Sequence, residues 1–258
     1  MKGDIMIKTA ICGINGRMGQ VLCSIINDDE QMQLAFGVDK FTERKNGVAV
    51  YESISEADPA DVDVIIDFSR PEALEANLDF AVKNKKAIVI ATTGYSPEQR
   101  EMIKRAGEST AVFFSANYSL GVNLQMKLIA QAARLFGDSA DIEIIEKHHN
   151  RKADAPSGTA LMLADAINEA CGGIYTYKYG RAPGDGKRQK REIGIHAVRG
   201  GNIVGVHDVL FITDNEIVTI SHQAQARSVF ADGAIAAAKF AAKKDAGYFD
   251  MRSMLDEQ

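Results

Sequence analysis

The sequence predicts an α/β protein with a doubly wound parallel sheet in the front half and a separate α+β unit behind it. Three observations predict this. An apolar, β-prone run over residues 5–14 ends in the glycine turn Gly13-Ile14-Asn15-Gly16-Arg17-Met18-Gly19, and a helical pattern follows to about Asn27. Strand-like and helical runs then alternate as far as Ser115, which implies parallel strands joined by right-handed crossovers. From Ser119 the pattern changes to one long helix and later to consecutive β-like runs.

The first strand, turn and helix supply the context that a phosphate-binding turn requires. Gly13 permits the tight turn, Gly16 lets backbone approach a pyrophosphate, and Gly19 allows close helix–strand packing. Ile14, Asn15, Arg17 and Met18 complete the turn. The second strand, 33–38, ends in Asp39-Lys40, about 20 residues on, where an acid can accept from a ribose 2′-OH. A base there can neutralise a 2′-phosphate, so the pair suits both NADH and NADPH. By itself an Asp-Lys pair is also an ordinary polar strand end. Further strands are expected over 62–68, 87–91 and 111–115, with helices over 72–84 and 97–107. Ligands of such sheets bind beyond the strand carboxyl ends. Those ends are Phe68-Ser69-Arg70-Pro71, Ala91-Thr92-Thr93-Gly94 and Ser115-Ala116-Asn117-Tyr118.

In the back half a helix over 120–136 leads into a strand over 141–146, which delivers His148 and His149 at its end. The segment from Glu146 to Ala160 reads EKHHNRKADAPSGTA. Pro156 cannot sit inside a helix and Ser157 is a good N-cap, so Ser157-Gly158-Thr159 opens a helix running to about Ala170. Its outward N–H groups and dipole suit a carboxylate or phosphate. Two imidazoles and Lys152 nearby add proton donors and positive charge. Singly, a His-His pair is a common strand end and Ser-Gly-Thr an ordinary cap; it is their combination that points to anion binding beside acid/base chemistry. No Cys or further His lies at ligand spacing, which argues against zinc. Strands over 192–199, 204–213 and 216–224 follow, with Asp214-Asn215 as a hairpin turn, and then a last helix over 229–243.

With 258 residues, 46% hydrophobic and 25% charged, the composition is that of an ordinary globular protein. A net charge of −5 argues against nucleic-acid binding. The basic run Lys187-Arg188-Gln189-Lys190-Arg191 reads as a solvated loop. No run approaches the ~18–20 apolar residues of a membrane span, and no signal-peptide pattern opens the chain. Three cysteines imply no disulfide framework. The expected location is cytoplasmic.

The segment from Glu146 resembles the signature of the dihydrodipicolinate reductases, roughly E-x-H-H-x-x-K-x-D-A-P-S-G-T-A, at every fixed position. The strand ends of the front half resemble that family's FTRP-like, GTTG-like and A-N-F/Y-S-x-G-V-N segments, with Ala91 where the family often has Gly. The resemblance covers nearly the whole chain. It implies reduction of 4-hydroxytetrahydrodipicolinate to tetrahydrodipicolinate with loss of water, in the lysine and diaminopimelate pathway. It further implies a discontinuous Rossmann-like domain over 1–118 and 228–258, and a domain over 119–227 whose mixed sheet binds the cyclic dicarboxylate and builds a homotetramer. The crossings near Ser119 and Arg227 are the expected hinge, about which the substrate brings the domains together. Phe68 and Arg70 then line the cofactor site, and Thr92, Thr93, Ala116 and Asn117, flanked by Ala91, Ser115 and Tyr118, meet ribose and nicotinamide. His148 is the expected general acid/base and Lys152 the proton donor. Gly158 and Thr159 bind a carboxylate, and His149, Ser157 and Arg227 hold the substrate. Two rivals differ in class. One is another nicotinamide dehydrogenase, although none of Cys12, Cys23 and Cys171 is placed as an aldehyde-type nucleophile. The other is a non-enzymatic dinucleotide sensor, which needs no His148/Lys152 pair.

Overall fold

The computed structural model describes residues 6–42 and 47–257, which fold as two compact units. The first is built from the chain up to Ser119 and from Ser228 onward, and the second from Leu120–Arg227.

In the first unit the strands are β1 (Ile7–Cys12), β2 (Met32–Val38), β3 (Ala49–Tyr51), β4 (Val64–Asp67), β5 (Ala87–Ile90), β6 (Ala111–Phe114) and the last strand of the chain, β12 (Gly247–Phe249). They form one seven-stranded sheet in the order β12-β6-β5-β4-β1-β2-β3, parallel at every pairing. Successive side chains point to opposite faces, and both faces are covered, so β4 and β5 are buried at every residue. Ile11, Val64, Ile66, Val89 and Phe113 pack under α1 (Arg17–Asn27) and α6 (Ser228–Ala241). Their neighbours Ala10, Ile65, Ile88, Ile90 and Val112 pack under α2 (Leu74–Asn84) and α3 (Pro97–Ala106). Burying each such branched or aromatic side chain contributes roughly 1.5–3 kcal/mol. The strand order reverses between β1 and β4, which places the glycine turn beside the loop that follows β4.

The second unit is a five-stranded mixed sheet, with α4 (Leu120–Phe136) and α5 (Gly158–Ala170) against one face. Its strands are β7 (Asp141–His148), β8 (Thr176–Tyr179), β9 (Glu192–Arg199), β10 (Gly205–Ile212) and β11 (Ile217–Ala224), in the order β11-β10-β7-β9-β8. Alternate residues of β7, β9 and β10, among them Ile142, Ile144, Ile193, Val209 and Phe211, meet Ile129, Leu163 and Ile167 of the helices. The other face, with Glu143, Ile145, Lys147, Asp208, Leu210 and Ile212, stays half-buried.

The predicted fold class is what the structure shows. The expected first strand reached back to residue 5, which lies outside the described residues. Three short strands, β3, β8 and β12, and the terminal helix α7 (Met251–Asp256) were not expected. Strands of three or four residues at or beside sheet edges carry too little apolar alternation to register. β7 runs two residues beyond the expected end, because Lys147 pairs with Val206 and His148 with Arg199. The basic run is not simply a solvated loop. Arg188 ion-pairs with Asp141 and Glu143 and Arg191 with Asp138, anchoring the loop that follows β8 to β7 and its approach.

Candidate active site

In the first unit the sequence forces a cradle after β1. Gly13 has φ +82°, and a Cβ there would lie 2.5 Å from the Phe68 carbonyl oxygen. A Cβ at Gly19 would strike the Gly13 and Ile14 carbonyls, so α1 lies directly on the turn. Gly16 is the N-cap of α1 and supplies no side-chain acceptor, and no acid stands in the first turn. An uncapped N-terminus on a glycine turn fits a dinucleotide pyrophosphate. Asn15, exposed Arg17 and half-buried Met18 border it, whereas the Ile14 side chain is buried against Gly37. Only backbone of Ile14 can meet a ligand.

Asp39 folds back on the turn. Its Oδ2 accepts from the Asn15 N–H at 2.9 Å and its Oδ1 from the Phe41 N–H at 3.4 Å, while Lys40 is exposed. A carboxylate has four lone-pair sites, so Asp39 keeps capacity for a ribose hydroxyl. Phe68, Arg70, Ala91, Thr93 and Ala116 are exposed or half-buried beyond the strand ends. Thr92 and Asn117 are 7% exposed. The Tyr118 hydroxyl donates to the Ile90 carbonyl at 2.8 Å and its ring packs on Phe113, so this side chain ties β5 to β6. The Ser115 hydroxyl donates to the Asn117 carbonyl at 3.0 Å.

Beneath these loops sits a group that sequence reasoning missed. Asp67, fully buried at the end of β4, accepts from the Ser69 N–H at 2.8 Å, from Asn77 at 3.1 Å and from Thr92 at 3.3 Å. Burial raises its pKa above the usual carboxylate value. The one signal was an acid ending the apolar run Val64-Ile65-Ile66.

In the second unit the alternation of β7 turns Glu146 and His148 to the same buried face. His148 Nδ1 lies 2.6 Å from Glu146 Oε2, and Glu146 Oε1 accepts the Ser157 N–H at 2.9 Å. Arg199 donates to both carboxylate oxygens at 2.7 Å and to the Asp154 carbonyl at 2.6 Å. Burial opposes ionisation of Glu146, but Arg199, His148 and the Ser157 N–H outweigh it and hold its pKa below the usual range. Ser157 is the N-cap of α5, its Oγ accepting from the Ala160 N–H at 3.2 Å. The same Oγ lies 3.0 Å from Nε2 of His207, whose ring stands edge-on to His148 at 5.1 Å. Burial, then the neighbouring His148, pushes the His207 pKa down to about 4.

The first helical bond of α5 runs from the Leu161 N–H to the Ser157 carbonyl, so residues 158 and 159 form the first turn at the positive end of the helix. Gly158 is exposed, and a Cβ there would meet nothing within 4 Å. Lys152 pairs with Asp154 at 2.9 Å. Arg227 NH2 lies 3.4 Å from Nε2 of His149, whose pKa is lowered by burial and by Arg151 and Arg227. The second unit thus gathers His148, His149, Lys152, Ser157, Gly158, Thr159 and Arg227 on β7, the loop after it, the start of α5 and the end of the unit. Glu146, Arg199 and His207 were not foreseen, since two of them stand on other strands.

Comparison with known proteins settles the relationship. Residues 7–118 match the family described as "Dihydrodipicolinate reductase, N-terminus", and residues 121–255 match "Dihydrodipicolinate reductase, C-terminus". The chain belongs to the dihydrodipicolinate reductase family. It is 45% identical over 251 residues to the 4-hydroxy-tetrahydrodipicolinate reductase of Caldanaerobacter subterraneus subsp. tengcongensis, covering 97% of this chain and 99% of that one. The enzyme of the same name from Clostridium novyi is 41% identical over 250 residues, covering 97% and 98%. The solved structure of dipicolinate-bound dihydrodipicolinate reductase from Paenisporosarcina sp. TG-14 shares the fold, with a TM-score of 0.79 at 24% identity over 95% of this chain and 98% of that one. The family member described here is an NAD(P)H-dependent oxidoreductase that reduces 4-hydroxy-tetrahydrodipicolinate to tetrahydrodipicolinate with loss of water. Among the described residues no helix is long and apolar enough to cross a membrane.

Proposed function

We propose that residues 1–118 and 228–258 hold the dinucleotide and residues 119–227 the dicarboxylate. The backbone of Gly13 to Met18 would take the pyrophosphate, Asp39 and Lys40 the 2′ end, and Phe68, Arg70, Ala91 to Thr93 and Ser115 to Tyr118 the ribose and nicotinamide. Both NADH and NADPH are accepted, because an acid and a base stand side by side at the 2′ position. The bound nicotinamide supplies hydride. In the second unit the N–H groups of Gly158 and Thr159, with the Thr159 hydroxyl, bind one substrate carboxylate at the positive end of α5. Arg227, His149 and Ser157 orient the ring. Lys152 leaves Asp154 to pair with a carboxylate and donate a proton, and His148 exchanges protons through Nε2.

One observation carries the substrate half of this reading. The fold has no steric use for a glycine at 158, where a Cβ meets open space, yet that glycine opens a helix beside His148. Room for a ligand accounts for it. The half-buried face of the mixed sheet supports a homotetramer, and a sparse set of three cysteines that form no disulfide supports a reducing, cytoplasmic location. His148→Gln and Lys152→Ala are each expected to lower turnover of NAD(P)H by roughly 10²–10⁴-fold with cofactor affinity unchanged. Near-normal turnover of His148→Gln would remove that residue from the mechanism.

A further inference from the structure

We propose that Glu146 is a positioning residue for the reaction, fixing the His148 imidazole with its Nδ1 proton toward the carboxylate and tying the carboxylate-binding turn to the same point. This rests on the reading of His148 as the acid/base group.

The argument begins with what Glu146 touches. An ionised carboxylate accepts and cannot donate. Every polar partner of Glu146 is therefore a donor: two nitrogens of Arg199, the Ser157 N–H and His148 Nδ1. At 2.6 Å from an ionised oxygen, Nδ1 carries the proton whether the ring is neutral or cationic. Nε2 is then the nitrogen left to take up or release a proton. The neighbouring strand keeps space beside it, since a Cβ at Gly205 would lie 3.1 Å from Nε2.

A buried ion pair alone is weak evidence for a role in chemistry, and the same strand supplies the contrast. Glu143, on the opposite face of β7, also joins a histidine, His196 at 2.6 Å, and two arginines, Arg181 and Arg188. Its partners belong to β9 and to the loop before that strand, so it serves as an anchor. The partners of Glu146 are the acid/base histidine, the N-cap of the anion-binding helix, and Arg199, which also binds the Asp154 carbonyl in the loop carrying Lys152. One carboxylate thus sets the spacing between proton transfer and carboxylate binding. Orientation of this kind is needed to bring a bound ring within reach of the transferring nitrogen.

Glutamine at 146 keeps the volume but presents an N–H₂ to one of two sites filled by donors. Its N–H₂ meets either the proton on His148 Nδ1 or the Ser157 N–H, and Arg199 loses its countercharge and one of its two acceptors on residue 146, keeping the Asp154 carbonyl. The test measures steady-state kinetics together with ¹⁵N signals of the His148 ring, assigned by their loss in His148→Gln and recorded where the ring is neutral. Glu146→Gln is expected to lower kcat by roughly 10–10³-fold with KM for NAD(P)H unchanged, and to convert His148 from the Nδ1–H form to the other tautomer or a mixture. Glu146→Asp is expected to recover most of kcat and the Nδ1–H signal. Wild-type His148 in the Nε2–H form overturns the proposal, whether or not any variant folds. So does Glu146→Gln within about twofold of wild-type kcat, or a fall in kcat with the His148 signals unchanged. Near-normal turnover of His148→Gln instead refutes the acid/base reading, while the ring signals still decide whether Glu146 holds the imidazole.

Discussion

His207 makes the stability of this protein depend on mild acid. Its ring is 4% exposed, its Nδ1 has no partner among the described residues, and Ser157 lies on Nε2; burial first, then His148, His222 and Lys152, disfavour its cation and outweigh the Glu146 carboxylate, which favours it. Protonation in the folded state therefore needs a pH near 4, against 6.5 for an unperturbed ring. Between those values the unfolded chain binds a proton that the folded chain refuses, so stability falls as pH falls. The gap of about 2.5 units at about 1.4 kcal/mol per unit amounts to about 3 kcal/mol, of which about 2 kcal/mol is lost between pH 7 and pH 5. His207→Gln removes the titration, and its amide still reaches the Ser157 hydroxyl. Urea unfolding of both proteins, followed by far-ultraviolet circular dichroism from pH 7 to pH 4.5, measures the difference. The wild type is expected to lose about 2 kcal/mol more than the variant by pH 5. Parallel profiles would refute the argument, because every other titrating group is common to both proteins.

The other predictions concern the two ligands. Lys40→Ala should weaken NADPH selectively and spare NADH in fluorescence titrations; equal loss of both means Lys40 does not read the 2′ position. Gly158→Ala should leave the unfolding free energy within about 0.5 kcal/mol of wild type, because its Cβ meets open space. It should still raise KM for the dicarboxylate, and an unchanged KM would place the carboxylate elsewhere. The reaction needs both ligands at once, so pyridine-2,6-dicarboxylate should bind better in calorimetry when reduced cofactor is present, and Thr159→Val should weaken it without loss of cofactor affinity. Indifference to cofactor would exclude coupled binding.

Much of the fold was legible because its signals are local. The long helices α1, α2, α4 and α5 carry apolar spacing and, in α5, the Ser157 cap, while buried parallel strands such as Val64–Asp67 read as short apolar runs. The glycine turn was legible for the same reason, since only glycine tolerates the φ of Gly13 and the closeness of α1 to that turn. The segment after Glu146 announced an anion site beside two imidazoles through residue types alone. The short strands β3, β8 and β12 were not legible, because their partners rather than their own composition make them strands.

What the sequence by itself determined was the fold class, the glycine turn and the His148–Thr159 segment, all written in residues adjacent along the chain. Only the tertiary structure decided which groups govern them. Arg199 reaches Glu146 across 53 residues of sequence, and His207 reaches Ser157 across 50. Those meetings depend on the register of β7 with β9 and β10, and a slip of one residue would turn Glu146 and His148 to the opposite face. Register is set by the burial of Ile142, Ile144, Ile193 and Val209 under α4 and α5, a property of the assembled sheet that no single strand contains.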